Sequence, residues 1–294
     1  MDLSYSLNTF YLLTSGLLVM WMAAGFTMLE SGSIRSKNVT EILIKNVALY
    51  SVASIGFLLL GYQLMYGWSN PEDHALWSDF FFQVVFVATA MSVVSGAVAE
   101  RKKLWSFLLF ALIFTTIIYP IQGSWSWGGG WLSQLGFFDF AGAGIVHMAG
   151  AAAALAAVLL IGPRLGKYTK EGIPRPIHGS NAAQVTLGTL ILWMGWFGFN
   201  GGSQLAIAGV ENADAVAKIF VNTNTAAASG LLSAMILSKL WLGRTALNAV
   251  CNGALAGLVV ITADPLTPSP FVAILYGALG GLLVPVSMSY LEKW

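Results

Sequence analysis

Residues 140–162 read FAGAGIVHMAGAAAALAAVLLIG, a stretch without Asp, Glu, Lys or Arg and with one histidine. About 20 mostly apolar residues carry a helix across the hydrocarbon core of a bilayer, so this stretch by itself predicts a membrane span. The same window, moved outward, finds nine such stretches: about 10–31, 42–66, 80–99, 104–123, 140–162, 181–208, 215–240, 246–263 and 270–290, the eighth being the weakest. Clear breaks separate them, among them Ser69-Asn70-Pro71-Glu72-Asp73, Arg101-Lys102-Lys103, Gly128-Gly129-Gly130, residues 162–176 and residues 264–270. None of these connectors is long enough for a soluble domain, so residues 1–294 are expected to form a single all-α polytopic membrane domain.

Composition agrees. Of 294 residues, 57% are hydrophobic and 9% charged, against roughly 25% charged in soluble domains, and the mean hydropathy is +0.74. The 32 glycines suit helices packed closely through small residues. A net charge of +1 and no basic run longer than Arg101-Lys102-Lys103 exclude nucleic acid as a partner. The single cysteine, Cys251, excludes an internal disulfide and a cysteine metal cluster. No zinc spacing, phosphate loop or nucleophile elbow occurs, so neither an enzyme nor a bound metal or cofactor is expected. Residues 1–8 lack the basic start of a secretory signal, and the first helix is expected to be retained.

Lys and Arg should gather on alternate connectors, facing the cytoplasm. Thirteen of the fourteen do: Arg35, Lys37 and Lys45 around the first connector, Arg101 to Lys103 in the third, Arg164 to Arg175 in the fifth, Lys239 and Arg244 in the seventh, and Lys293 at the end, with Lys218 the exception. This places the N-terminus outside and the C-terminus in the cytoplasm of a multi-pass protein, with a bacterial inner (plasma) membrane as the expected location. Trp21-Met22 to Gly32-Ser33 echoes Trp193-Met194 to Gly202-Ser203. Such an echo suits inverted repeats, a first of about 1–165 and an incomplete second of about 178–294.

Several residues do not belong in lipid. His147 lies eight residues past Asp139, which in a helix starting there is about 12 Å in, and an ionisable group at that depth reads as functional. The alternative is a core imidazole tied to a carbonyl. Asp139 opens the same helix, where a carboxylate caps free N–H groups and complements the dipole; it could also draw a cation to an outer mouth. Trp125 and Trp127 precede three glycines and read either as an interfacial belt or as a cation–π platform. Ser203 reads as an interhelical hydrogen bond or a ligand contact. Phe86 and Phe199 would ordinarily be core or lipid-facing residues. Glu30 and Glu100 are expected to form interfacial ion pairs or caps beside Arg35 and Arg101, and residues 222–225 to bond between helices.

Five stretches together resemble the ammonium transporter, methylammonium permease and Rhesus family. These are Gly25 to Asn38 (GFTMLESGSIRSKN), Gly96 to Arg101 (GAVAER), Asp139 to His147 (DFAGAGIVH), Gly195 to Ser203 (GWFGFNGGS) and Ala254 to Thr262 (ALAGLVVIT). The resemblance implies an eleven-helix fold of two inverted five-helix repeats, assembled as a homotrimer, each subunit conducting ammonium or ammonia, with methylammonium as an analogue. By motif, Trp127 and Ser203 would recruit ammonium with Phe86 at the floor of that site. Phe86 and Phe199 would close the pore as stacked rings, His147 would be the first of two pore histidines, and Asp139 the entrance carboxylate. The family's second histidine, on a tenth helix, has no counterpart up to Trp294; a longer chain is expected to supply it, together with any tail through which a PII-type regulator would act. An ammonium-sensing module of a longer signalling protein and an inactive truncated subunit are the alternative readings.

Overall fold

A computed structural model describes residues 2–291. They form nine long helices: α1 (Asp2–Ser33), α2 (Ser36–Met65), α3 (Leu76–Ala97), α4 (Leu104–Ser124), α5 (Ala143–Ile161), α6 (Ala182–Gly201), α7 (Val210–Leu242), α8 (Leu247–Thr262) and α9 (Pro270–Leu291). Eight are long and apolar enough to cross a membrane, and the exception, α8 with 16 residues, is the stretch that read weakest in sequence. At 1.5 Å per residue it covers only about 24 Å. The expected sixth span runs to 208, but α6 stops at Gly201 and residues 205–208 are irregular, with Leu205 in a left-handed conformation (φ 64). Lys293 and Trp294, on which the cytoplasmic C-terminus rests, lie outside the described residues.

The two halves of the sequence echo meet in space. A Cβ on Gly32 would strike Asn181 and Val185, one on Gly25 would strike Leu192, and one on Gly195 would strike Met22. Numbers fall along α1 as they rise along α6, so the two helices pack antiparallel. Gly188 permits backbone contact, since its Cβ would lie 2.5 Å from Leu29 N and 2.6 Å from the Gly25 carbonyl oxygen. In lipid, where no hydrophobic effect drives helices together, such backbone contact supplies the dispersion energy of association. In α7, α8 and α9, Gly230, Gly257 and Gly277 do the same around Ala226 and Gly253. Asn222 then pins the α8–α9 connector to α7, donating to Pro265 O and Pro268 O at 2.8 and 2.9 Å.

Four helices contain π-turns, at Phe57–Gly61, Phe114–Ile118, Ala143–Met148 and Phe197–Gly201. Segments of this kind often accompany functional sites, and the last two hold His147 and Phe199.

Of the two acidic residues expected in ion pairs or caps beside Arg35 and Arg101, Glu100 forms such pairs and Glu30 sits otherwise. Glu100 takes a left-handed backbone (φ 63) that directs its carboxylate to Arg35, Asn38 and Arg164. Arg101 donates instead to Gly162 O. Glu30 is not interfacial: it is 6% exposed and pairs at 2.8 Å with Lys45, 2% exposed, which belongs to α2 rather than to the first connector. Ser95 Oγ and Asn46 Nδ2 also donate to Glu30 Oε2. Removing one partner strands a buried charge, so Lys45→Met is expected to lower stability by about 3 kcal/mol or more, whereas Glu30→Met with Lys45→Met restores most of it. Chemical denaturation in detergent of the single and double variants checks this.

Beside this pair, Lys102 Nζ sits 2.7 Å from the centroid of the Phe107 ring. The ring face attracts an ammonium, but burial and the Lys45 charge outweigh it and hold Lys102 down to about 6 from 10.5. Between these values the unfolded chain holds a proton that the folded chain lacks, so stability rises with pH across this window. Lys102→Met is expected to melt higher than the parent at pH 7 and to flatten that rise, measured as melting temperature at several pH values from 6.5 to 9.

Candidate functional site

The local chain around Asp139 is built to present a carboxylate to bare amides. Phe140 N and Ala141 N donate to Ala263 O and Thr262 O at the end of α8, which anchors the segment there. Gly142 then turns at φ 105, a conformation that side chains rarely adopt, and a Cβ there would also meet Val146 and Trp127. The turn brings the first amides of α5 round to Asp139: Oδ1 accepts from Gly142 N and Ala143 N at 3.0 and 2.9 Å, Oδ2 from Gly144 N and Ile145 N at 2.8 and 2.9 Å. Four of the donors left free at a helix start thus share one carboxylate. Because α5 begins at Ala143 and not at Asp139, His147 stands on the first π-turn, with its N–H bonded to Gly142 O. The depth of about 12 Å expected from an uninterrupted helix is corrected accordingly. Gln122 of α4 donates to Ile145 O at 2.8 Å and fixes this turn from the other side.

A column of rings crosses the site. Trp127, half-buried, donates its Nε1–H to Asp139 O at 2.8 Å and meets Phe86 edge-on at 5.9 Å. Trp125 is the more exposed of the two tryptophans, at 39%. Phe86 on α3 lies against Phe199 on α6 with centroids 4.2 Å apart and planes at 31°. Phe199 stacks on His147 at 5.3 Å, and His147 stacks on Trp196 at 5.0 Å and 20°. Phe86 and Phe199 are fully enclosed. His147 is buried, with no hydrogen-bond partner at Nε2 among the described residues. A buried nitrogen without a partner costs free energy, so this one is suited to a small hydrogen-bonding occupant. Dry rings above it resist a hydrated ion, while the tryptophan face attracts a bare cation.

Ser203 lies one turn past Phe199 and donates to its carbonyl at 2.8 Å, which leaves the hydroxyl oxygen as an acceptor. The structure thus brings Trp127, Phe86, Phe199 and His147 into one column, ties Asp139 to it through the Trp127 hydrogen bond, and joins Ser203 to it through the Phe199 backbone. Sequence reasoning assigned no role to Trp196, although it stands inside a quoted motif. Its Nε1–H donates to Thr262 Oγ1 at 2.8 Å, and Asn200 ties Thr262 to Thr223. This buried chain of hydrogen bonds fixes the ring on which His147 stacks.

Comparison with known proteins places these features. The model of the Ammonium Transporter Family matches residues 10–294. The chain is 42% identical to ammonium transporter Amt2 of Archaeoglobus fulgidus over 96% of its own length and 64% of that protein, and 39% identical to a putative ammonium transporter of Synechocystis sp. over 99% and 71%. Among solved structures it superposes on one described as a sensor Amt protein with a TM-score of 0.94 at 35% identity, covering 99% of this chain and 76% of that one. On Mep2 of Candida albicans the TM-score is 0.85 at 27% identity, covering 96% and 67%. The chain therefore spans roughly two thirds of the length of the relatives it matches.

Proposed function

The chain belongs to the ammonium transporter family, and we propose that it conducts ammonium nitrogen through the ring column described above. The observation that carries this reading is the unbroken line from Trp127 through Phe86 and Phe199 to a buried histidine with an unpartnered Nε2. Ammonium is recruited by the Trp127 face and the Ser203 oxygen, with Phe86 as the floor. It gives up a proton to water at the outer mouth, and neutral ammonia passes between Phe86 and Phe199, because a desolvated cation would be far costlier there. His147 then receives it as a hydrogen-bonding partner, and Asp139 holds the mouth in shape. The protein works as a homotrimer in the plasma membrane, N-terminus outside. Residues of about 1–165 form the first inverted repeat and about 178–294 an incomplete second, a division supported by the antiparallel packing of α1 on α6. A PII-type regulator would act only through a C-terminal tail beyond Trp294.

Recruitment is tested by methylammonium uptake into proteoliposomes containing Ser203→Ala. Loss of one acceptor for a charged donor is expected to raise KM about tenfold while the maximal rate changes little. An unchanged KM would remove Ser203 from the recruitment site.

A further inference from the structure

At the basic end of the bundle, an open groove of about 370 Å³ runs between the α3–α4 connector and the end of α5. One wall is Arg101, Lys102 and Lys103, the other Ile161, Pro163 and Leu165. The acidic residue at its edge, Glu100, offers these cations nothing. Its side chain is fully enclosed, and although burial pushes its carboxyl up, hydrogen bonds from Arg35, Asn38 and Arg164 hold it below the usual carboxylate range. Arg101 spends one N–H on Gly162 O, yet its Nε is buried with no acceptor among the described residues, and so is Lys102 Nζ. Buried donors left bare are uncommon enough to call for an occupant such as a water or an ion. The opposite wall is apolar, with Leu165 85% exposed, and Trp105, 79% exposed on the first turn of α4, has the character of a residue at headgroup depth.

We propose that this groove is a binding site for an anionic phosphate ester, with Arg101 and Lys103 holding the phosphate and Ile161, Pro163 and Leu165 taking the apolar part of the same molecule. An anionic phospholipid headgroup and a free phosphate share the recognising chemistry. The apolar wall at interfacial depth favours the lipid, since a free anion has no use for it.

The test is the melting temperature of the full chain in a nonionic detergent, titrated separately with dioctanoyl phosphatidylglycerol, dioctanoyl phosphatidylcholine and inorganic phosphate. Phosphatidylglycerol is expected to raise it by about 5 °C at saturation, and the choline lipid, whose phosphate is already paired, by much less. Arg101→Gln with Lys103→Gln is expected to weaken the phosphatidylglycerol midpoint about tenfold or more. Lys170→Gln with Arg175→Gln, which removes the same charge from an exposed connector, should leave it unchanged. Should the double variant fail to fold, Lys103→Gln alone, at an exposed position, is expected to give a smaller weakening in the same direction. A rise with inorganic phosphate at equal concentration supports the site and assigns it to a free phosphate. Equal rises with both lipids, no rise with any probe, or a rise that survives Lys103→Gln and the double variant alike overturn the proposal.

Discussion

Asp139→Ala is expected to abolish methylammonium uptake and to leave little folded protein in the membrane. Four amides, Gly142 to Ile145, point at this carboxylate, and alanine leaves all four without their acceptor. Hydrogen bonds to a charged group contribute about 1.5–3 kcal/mol each. They are not additive, but even half of such a sum exceeds about 3 kcal/mol, a large fraction of ordinary stability. Water can replace part of the loss only where it can reach, and Gly142 and Ile145 N are buried. The damage also spreads sideways, because the Asp139 backbone oxygen holds the Trp127 ring. Asp139→Asn separates structure from charge. It keeps one acceptor oxygen but turns an NH2 toward two N–H donors, so a folded chain with uptake reduced by about tenfold or more is expected. Uptake measured per folded chain, with the amount in the membrane quantified in parallel, distinguishes the two. Parental stability and uptake in Asp139→Ala would contradict this role.

His147→Ala should act in the opposite manner, with a modest effect on folding and a large one on transport. The imidazole lies between Trp196 and Phe199, and its removal leaves a cavity worth about 1–3 kcal/mol. It also removes the polar partner from the dry column. Methylammonium uptake is then expected to fall by about a hundredfold or to lose its selectivity over potassium. His147→Phe keeps the ring volume without the nitrogens. If Phe rescues uptake, the residue serves packing alone; if Phe and Ala are equally defective while the chain remains folded, the nitrogens carry the role. Uptake and selectivity both unchanged in Ala would remove His147 from the pathway.

Sequence displayed the fold more fully than the site. Apolar stretches of membrane length need only composition to be seen, and eight of the nine appear as spanning helices, although α1 starts eight residues earlier and α6 ends seven residues earlier than expected. The weak eighth is short because α8 ends where its last carbonyls pair with the Asp139 segment. The π-turns were invisible, since no residue pattern marks them; the one that opens α5 lies where Asp139 and Gln122 hold the helix start from outside. That displacement moved His147 toward the helix start. Glu30 was misread as interfacial because nothing in the sequence shows that Lys45, inside the second span, turns inward to pair with it. Trp196 and Thr262 passed unnoticed for a similar reason: each is an ordinary membrane residue until its partner across the bundle is known. Phe86 and Phe199 are 113 positions apart in sequence, and no spacing rule could have paired them without the family resemblance.

The most direct measurement of the central claim is the uptake of labelled methylammonium by liposomes carrying the purified full chain, with empty liposomes and chain-containing His147→Ala liposomes alongside. The ring column predicts saturable, chain-dependent uptake that added ammonium suppresses and potassium does not, absent or unselective in the variant. Uptake no faster than that of empty liposomes, in a chain shown to be folded, would contradict it.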